Sequence, residues 1–100
     1  MPMASNGLTK LMEECSEVIQ VAAKMQACPG SDEHWDGQGS LKKRLEDEIA
    51  DARAASLFVS ETHGLDEARM QARTAKKLAL FRAWHAQAND APIPCAKQTP

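Results

Sequence analysis

Five carboxylates in two short motifs carry the strongest chemical signal in this 100-residue chain. The first motif is Glu13-Glu14-Cys15-Ser16-Glu17 and the second is Glu48-Ile49-Ala50-Asp51. Each sits in a stretch that reads as helix, and each sets two acids three residues apart. On a helix that spacing stacks both side chains on one face, with Cβ atoms about 5–6 Å apart. Two such faces, packed at the usual interaxial distance of about 8–10 Å, would gather Glu14, Glu17, Glu48 and Asp51 in one small volume. Unneutralised, that gathering is repulsive. A hard divalent cation makes it favourable, and the same cation can hold a nucleotide phosphate. Ligation by oxygen alone selects Mg²⁺, with Mn²⁺ able to substitute.

A single Glu-x-x-Glu pair is more often a solvated helix surface than a site. Two features favour the metal reading. Both motifs lie beside an apolar stripe rather than opposite it, and both lie on consecutive long helices that a short loop makes antiparallel neighbours.

The elements that must position these acids are legible from periodicity and punctuation. Leu8, Leu11, Met12, Cys15, Val18, Ile19, Ala22 and Met25 recur at helical steps and predict a first helix from Leu8 to Ala27. Asn6 or Thr9 is expected to cap it, and Cys28-Pro29-Gly30 to end it. Ser31 to Gly39 reads as a polar loop, with Ser40 as the N-cap of a second helix running to Thr62. Leu41, Leu45, Ile49, Ala52 and Val59 form its expected core stripe, and His63-Gly64 its C-terminal signal. A third helix is predicted from Leu65 to Ala88, packing through Ala68, Ala72, Ala75, Leu78, Ala79, Phe81 and Trp84. Residues 1–88 thus read as one helical domain, followed at 89–100 by a Pro-containing irregular tail. The expected fold class is all-α: an antiparallel bundle of three long helices per chain, completed by oligomerisation, since three helices bury a ridge poorly alone.

Composition narrows the partners. A net charge of −2 gives no reason to expect a nucleic-acid polymer or an anionic membrane. Cys15, Cys28 and Cys95 are odd in number and lack Cys-x-x-Cys spacing, so no disulfide framework is expected. Neither a signal-peptide pattern nor a membrane-crossing apolar stretch is visible, and a cytoplasmic setting is the expectation. Charge is unevenly spread: the third helix carries Arg69, Arg73, Lys76, Lys77 and Arg82 against Asp66 and Glu67. The ordinary reading of such a run is a solvated face. The sharper one is a phosphate-facing helix, with Arg73 and Lys76 as the binding pair.

Other residues are secondary candidates. Lys24, seven residues after Glu17, can reach a phosphate or snorkel to water. Gln20 can meet a base edge, or simply be solvated. Trp35 can stack on a base, or cover a subunit contact. His34, His63 and His85 show no mutual metal spacing, and the cysteines read as small apolar residues.

The pattern Glu-Glu-x-x-Glu, a gap, then Glu-x-x-Asp resembles the MazG-like all-α nucleoside triphosphate pyrophosphatases. Glu13, Glu14 and Glu17 match the first block, Glu48 and Asp51 the second. The wording EECSEVIQVAAK, LEDEIADARAA and AKKLALFRAWH is similar to the compact phage-type members, over roughly Leu11 to His85. The resemblance implies hydrolysis of a nucleoside triphosphate to monophosphate and pyrophosphate, dependence on Mg²⁺, and a homodimer or homotetramer. It makes Glu14, Glu17, Glu48 and Asp51 metal ligands and assigns Glu13 and Glu17 to catalysis. Glu13 would support the ligands or orient the attacking water, its plain alternative being an exposed charge. The chain departs from the family at Arg73-Thr74-Ala75-Lys76-Lys77, where a Lys-x-x-Lys-Asn element is usual, and the gap between the acidic blocks is long.

Two other classes use comparable acidic helices. A carboxylate-bridged di-iron bundle typically uses Glu-x-x-His, and neither motif holds a His. A helical binding or regulatory module without chemistry would leave the acids as surface charge.

Overall fold

The computed structural model describes residues 7–88. Among them are three helices and no strand: α1 (Leu8–Ala27), α2 (Leu41–His63) and α3 (Glu67–Ala88). The expected capping residue Asn6 and the tail at 89–100 lie outside the described residues. The described chain divides into two units, residues 7–64 and residues 65–88, taken here in turn.

In the first unit α1 and α2 pack against each other. Their order is antiparallel: Gly7 meets Phe58 and Val59, while near the other end Lys24 and Arg44 share one carboxylate. The N-cap of α1 is Gly7 rather than Thr9, which lies inside the helix, and no side chain caps it. The reason is steric. Gly7 has φ 92°, and a Cβ there would stand 2.6 Å from a ring carbon of Phe58, so only glycine fits this approach. At the other end, the Cys28 N–H donates to the carbonyls of Lys24 and Met25 at 3.1 and 3.2 Å. Pro29 then prevents continuation.

Helix α2 begins as its sequence predicts. The Ser40 hydroxyl accepts from the Lys43 N–H at 3.2 Å. Asp32 extends the cap: its carboxylate accepts from the Lys42 N–H at 2.8 Å, its carbonyl accepts from the Leu41 N–H at 2.7 Å, and the Ser40 hydroxyl donates to its other oxygen. The first N–H groups of α2, which a helix leaves without partners of its own, are therefore satisfied by the loop. These contacts hold the Asp32 carboxyl below its ordinary range, the Ser40 hydroxyl acting most strongly. At its C-terminus α2 runs one residue past Thr62 and closes on left-handed Gly64.

The buried seam consists of Val21, Cys28, Leu41, Ala55 and Val59, with Leu41 fully enclosed. Leu11, Val18, Met25, Leu45 and Ala52 flank it half-buried. Two expectations change. On α1 the inward row is Leu11, Glu14, Val18, Val21, Met25 and Cys28, while Leu8, Met12, Cys15, Ile19 and Ala22 face outward. On α2, Ile49 is 39% exposed and Ala55 takes its place inside. Both inward rows step by three and four residues, the spacing that keeps one face toward a partner helix.

In the second unit, Asp66 caps α3, its carboxylate accepting from the Arg69 N–H at 3.0 Å. The helix therefore starts at Glu67, two residues later than the pattern predicts. None of its residues is buried, and the seven expected packing positions are all exposed. Phe81 and Trp84 lie against each other, ring centroids 5.6 Å apart.

Candidate metal centre

The inward rows of α1 and α2 are apolar except at one level. Glu14 occupies a seam position on α1, and Glu48 occupies one on α2. Glu17, one turn beyond Glu14, is the third half-buried acid at that level. Each of the three offers a carboxylate oxygen, and these oxygens lie within 4.8 Å of one another. A seam position is where a helix pair wants a methyl group. An acid placed there loses hydration, and nothing repays that loss unless the charge is paired or coordinates a metal.

Among the described residues no cation forms a salt bridge with the trio; Lys10, paired with Glu13, acts on Glu14 only weakly. One oxygen of Glu14 and one of Glu48 are shut off from solvent without a hydrogen-bond partner. Burial pushes the Glu14 carboxyl above its ordinary value, and the negative charges of Glu17 and Asp51 push it further the same way. All three causes disfavour the carboxylate, and a divalent cation reverses the electrostatic ones. The donor set fits such an ion. Mg²⁺ takes oxygen ligands at about 2.0–2.1 Å in an octahedron, so neighbouring ligands stand about 3 Å apart and opposite ones about 4.2 Å. The trio, within 4.8 Å, would close on the ion by inward rotation of its flexible side chains.

The other expected site residues are placed as follows. Asp51 is exposed, one turn beyond Glu48 and outside the trio. Its charge nevertheless bears on Glu14. Glu13 turns away to an ion pair with Lys10 at 2.6 Å. Gln20 is exposed on α1. Trp35 is 78% exposed and leans on the His34 ring, centroids 3.8 Å apart. On α3, Arg73 and Lys76 are exposed and three residues apart, so they share one face of that helix.

Lys24 has a definite partner. Its ammonium stands 2.9 Å from Oδ2 of Asp36, so a phosphate would have to compete with that carboxylate. Arg44 grips the same group through two nitrogens, Nη1 to Oδ1 at 3.2 Å and Nη2 to Oδ2 at 3.1 Å. The Gln38 N–H donates to Oδ1 at 3.1 Å. The imidazole Nδ1 of His34 accepts from the Asp36 N–H at 3.0 Å, so that nitrogen cannot also donate to the carboxylate beside it. Arg44 first, then Lys24, holds the Asp36 carboxyl well below the usual carboxylate range. Neither Arg44 nor Asp36 stands out in the sequence. A loop residue has no periodicity to betray its partners.

Comparison with known proteins finds no matching family model, no matching curated protein and no matching solved structure, so this site is interpreted from its own residues.

Proposed function

We propose that the chain is a Mg²⁺-dependent nucleotide pyrophosphohydrolase, with Mn²⁺ able to substitute. The observation that carries the metal half is the convergence of Glu14, Glu17 and Glu48 from two helices, two of them with an enclosed, unpartnered oxygen. The nucleotide half is supported by the order of the acidic blocks and the spacing within each, which resemble those of the all-α pyrophosphatases named above, although the gap between the blocks is longer.

In this reading Glu14, Glu17 and Glu48 hold the ion, and Asp51 joins them from the next turn of α2. The bound ion would neutralise phosphate oxygens and lower the pKa of water. Water then attacks the α-phosphorus, the bond from that phosphorus to the α–β bridging oxygen breaks, and the products are a nucleoside monophosphate and pyrophosphate. Glu17, half-buried on the exposed side of Glu14, is the acid best placed to orient that water. Glu13 serves the same chemistry only if it leaves Lys10. Arg73 and Lys76 are the cations this reading assigns to phosphate, and Gln20 and Trp35 the groups it assigns to the base.

Association of copies belongs to the same proposal. Met12 and Ile19 on α1, and Leu57 and Phe58 on α2, are each more than half exposed, apolar surface that a homodimer or homotetramer would cover. Among the described residues no helix is long and apolar enough to cross a membrane. The cytoplasmic setting is proposed on the cysteine pattern.

The test measures pyrophosphate release from a panel of ribo- and deoxyribonucleoside triphosphates with Mg²⁺, alongside a Mg²⁺ titration of the melting temperature. The expected outcome is turnover of at least one nucleotide and a rise in melting temperature, because the ion binds only the folded state. Absence of turnover with a retained melting shift would leave a metal-binding module. A flat melting response would remove the metal centre as well.

A further inference from the structure

By helix register, the cluster around Asp36 lies along the same faces of α1 and α2 as the acidic trio. Lys24 follows Glu17 by two helical turns, about 10 Å along α1, and Arg44 precedes Glu48 by one turn, about 6 Å along α2. Two cations from two helices meet on a single carboxylate, so the cluster keeps an excess of positive charge next to a cluster of negative charge. The Arg44 fork on both Asp36 oxygens is the geometry that guanidinium also presents to phosphate. All three side chains are partly shielded, at 33% exposure for Lys24, 20% for Arg44 and 23% for Asp36.

The loop that brings Asp36 here is anchored separately. Asp32 and Ser40 tie it to the start of α2. Gly37 follows Asp36 and Gly39 precedes Ser40, both at positive φ and with open space where a Cβ would stand. The cap of α2 is made by Asp32 and Ser40, so releasing the Asp36 carboxylate leaves those cap bonds in place.

From this arrangement we infer that Lys24 and Arg44 form a phosphoryl-anion subsite, and that Asp36 is an internal anion closing it until a phosphoryl group displaces its carboxylate. The subsite rests on the proposed nucleotide-binding reading and extends it along the same helix faces. It supplies the cationic half of a site whose metal half lies at Glu14, Glu17 and Glu48. Closing the site costs apparent affinity in proportion to the fraction of molecules in which Asp36 is bound.

The test uses inorganic pyrophosphate in excess chelator, with no divalent cation, so that loss of the metal centre and loss of this subsite are separate results. Binding to the wild type is compared with binding to Asp36→Asn by calorimetry. The expected result is at least about tenfold tighter binding to the variant, and loss of that gain in the double variant Asp36→Asn/Arg44→Gln. Equal or weaker binding to Asp36→Asn, or a gain that survives removal of Arg44, would overturn the subsite. A second measurement on the wild type needs no variant. The Gln38 amide donates to Asp36, so pyrophosphate should accelerate its hydrogen exchange. An unchanged or slowed amide would mean that Asp36 stays in place as a staple.

Discussion

Two charged clusters draw on the same faces of α1 and α2, one with a loop residue added, yet they end in opposite electrostatic states. Around Asp36, each charge meets an opposite one, and the loop backbone completes the shell. At Glu14, Glu17 and Glu48, three acidic side chains converge with no salt bridge to a cation among the described residues. The first cluster is closed by the chain's own anion, so a competing anion is what would open it. The second sets like charges together at seam positions, and the proposed Mg²⁺ would relieve that repulsion. A paired cluster and an unpaired half-buried one thus ask for ligands of opposite sign.

The most damaging change should affect both clusters at once. Leu41 is fully enclosed where the loop meets α2. Leu41→Ala should cost about 2–5 kcal/mol, read as a lower denaturant midpoint, with loss of the Mg²⁺ response as the seam loosens. If activity and metal response survive undiminished, the clusters do not depend on a shared frame.

The comparison sharpens with two substitutions one turn apart on α2. Glu48→Gln should abolish most of the Mg²⁺-induced melting shift and reduce pyrophosphate release by more than about 100-fold, since even groups that merely support metal ligands are worth 10–100-fold. Without metal, however, its melting temperature should hold or rise, because a repulsion has been relieved. Arg44→Gln should do the reverse, lowering the metal-free melting temperature by stranding Asp36. The same direction for both without metal would break the contrast.

A smaller effect is expected in the pH dependence. Asp36 titrates below its ordinary value in the fold. Its stabilising contribution is therefore complete above that ordinary value and disappears as pH falls through the lowered one. Glu14 has the opposite sign. It titrates above its ordinary value, so the protonated form favours folding at low pH, and that gain is lost as pH rises through the raised value. In metal-free melting scans, Glu14→Gln should remove the loss on the rising side, and Asp36→Asn should reduce the acid-side loss. The Mg²⁺-induced shift should shrink as pH falls through the Glu14 transition, because proton and cation compete for the same oxygens.

Local signals located the helices well. Ser40 caps α2, Pro29 follows the end of α1, and Gly64 closes α2, each by chemistry confined to a few neighbouring residues. The start of α3 was missed by two residues because Asp66 was counted as helix when it is the cap. Of the expected four-acid set, Glu14, Glu17 and Glu48 come together, whereas Asp51 points out of the seam. Spacing of three residues says that two acids share a face, but not how far around the helix that face is turned from its neighbour.

What the sequence by itself determined is therefore local: three helices, their stops, and two acidic pairs each on a common face. What only the tertiary structure decided is which way those faces turn. Helix α1 carries two adjacent apolar rows, one through Leu11, Val18 and Val21 and one through Leu8, Met12 and Ile19, and helical periodicity suits both. Packing against α2 buries the first row, and that rotation carries Glu14 into the seam opposite Glu48. The meeting of Lys24, Asp36 and Arg44 was likewise decided in three dimensions, because it joins two helices to a loop whose residues follow no repeat.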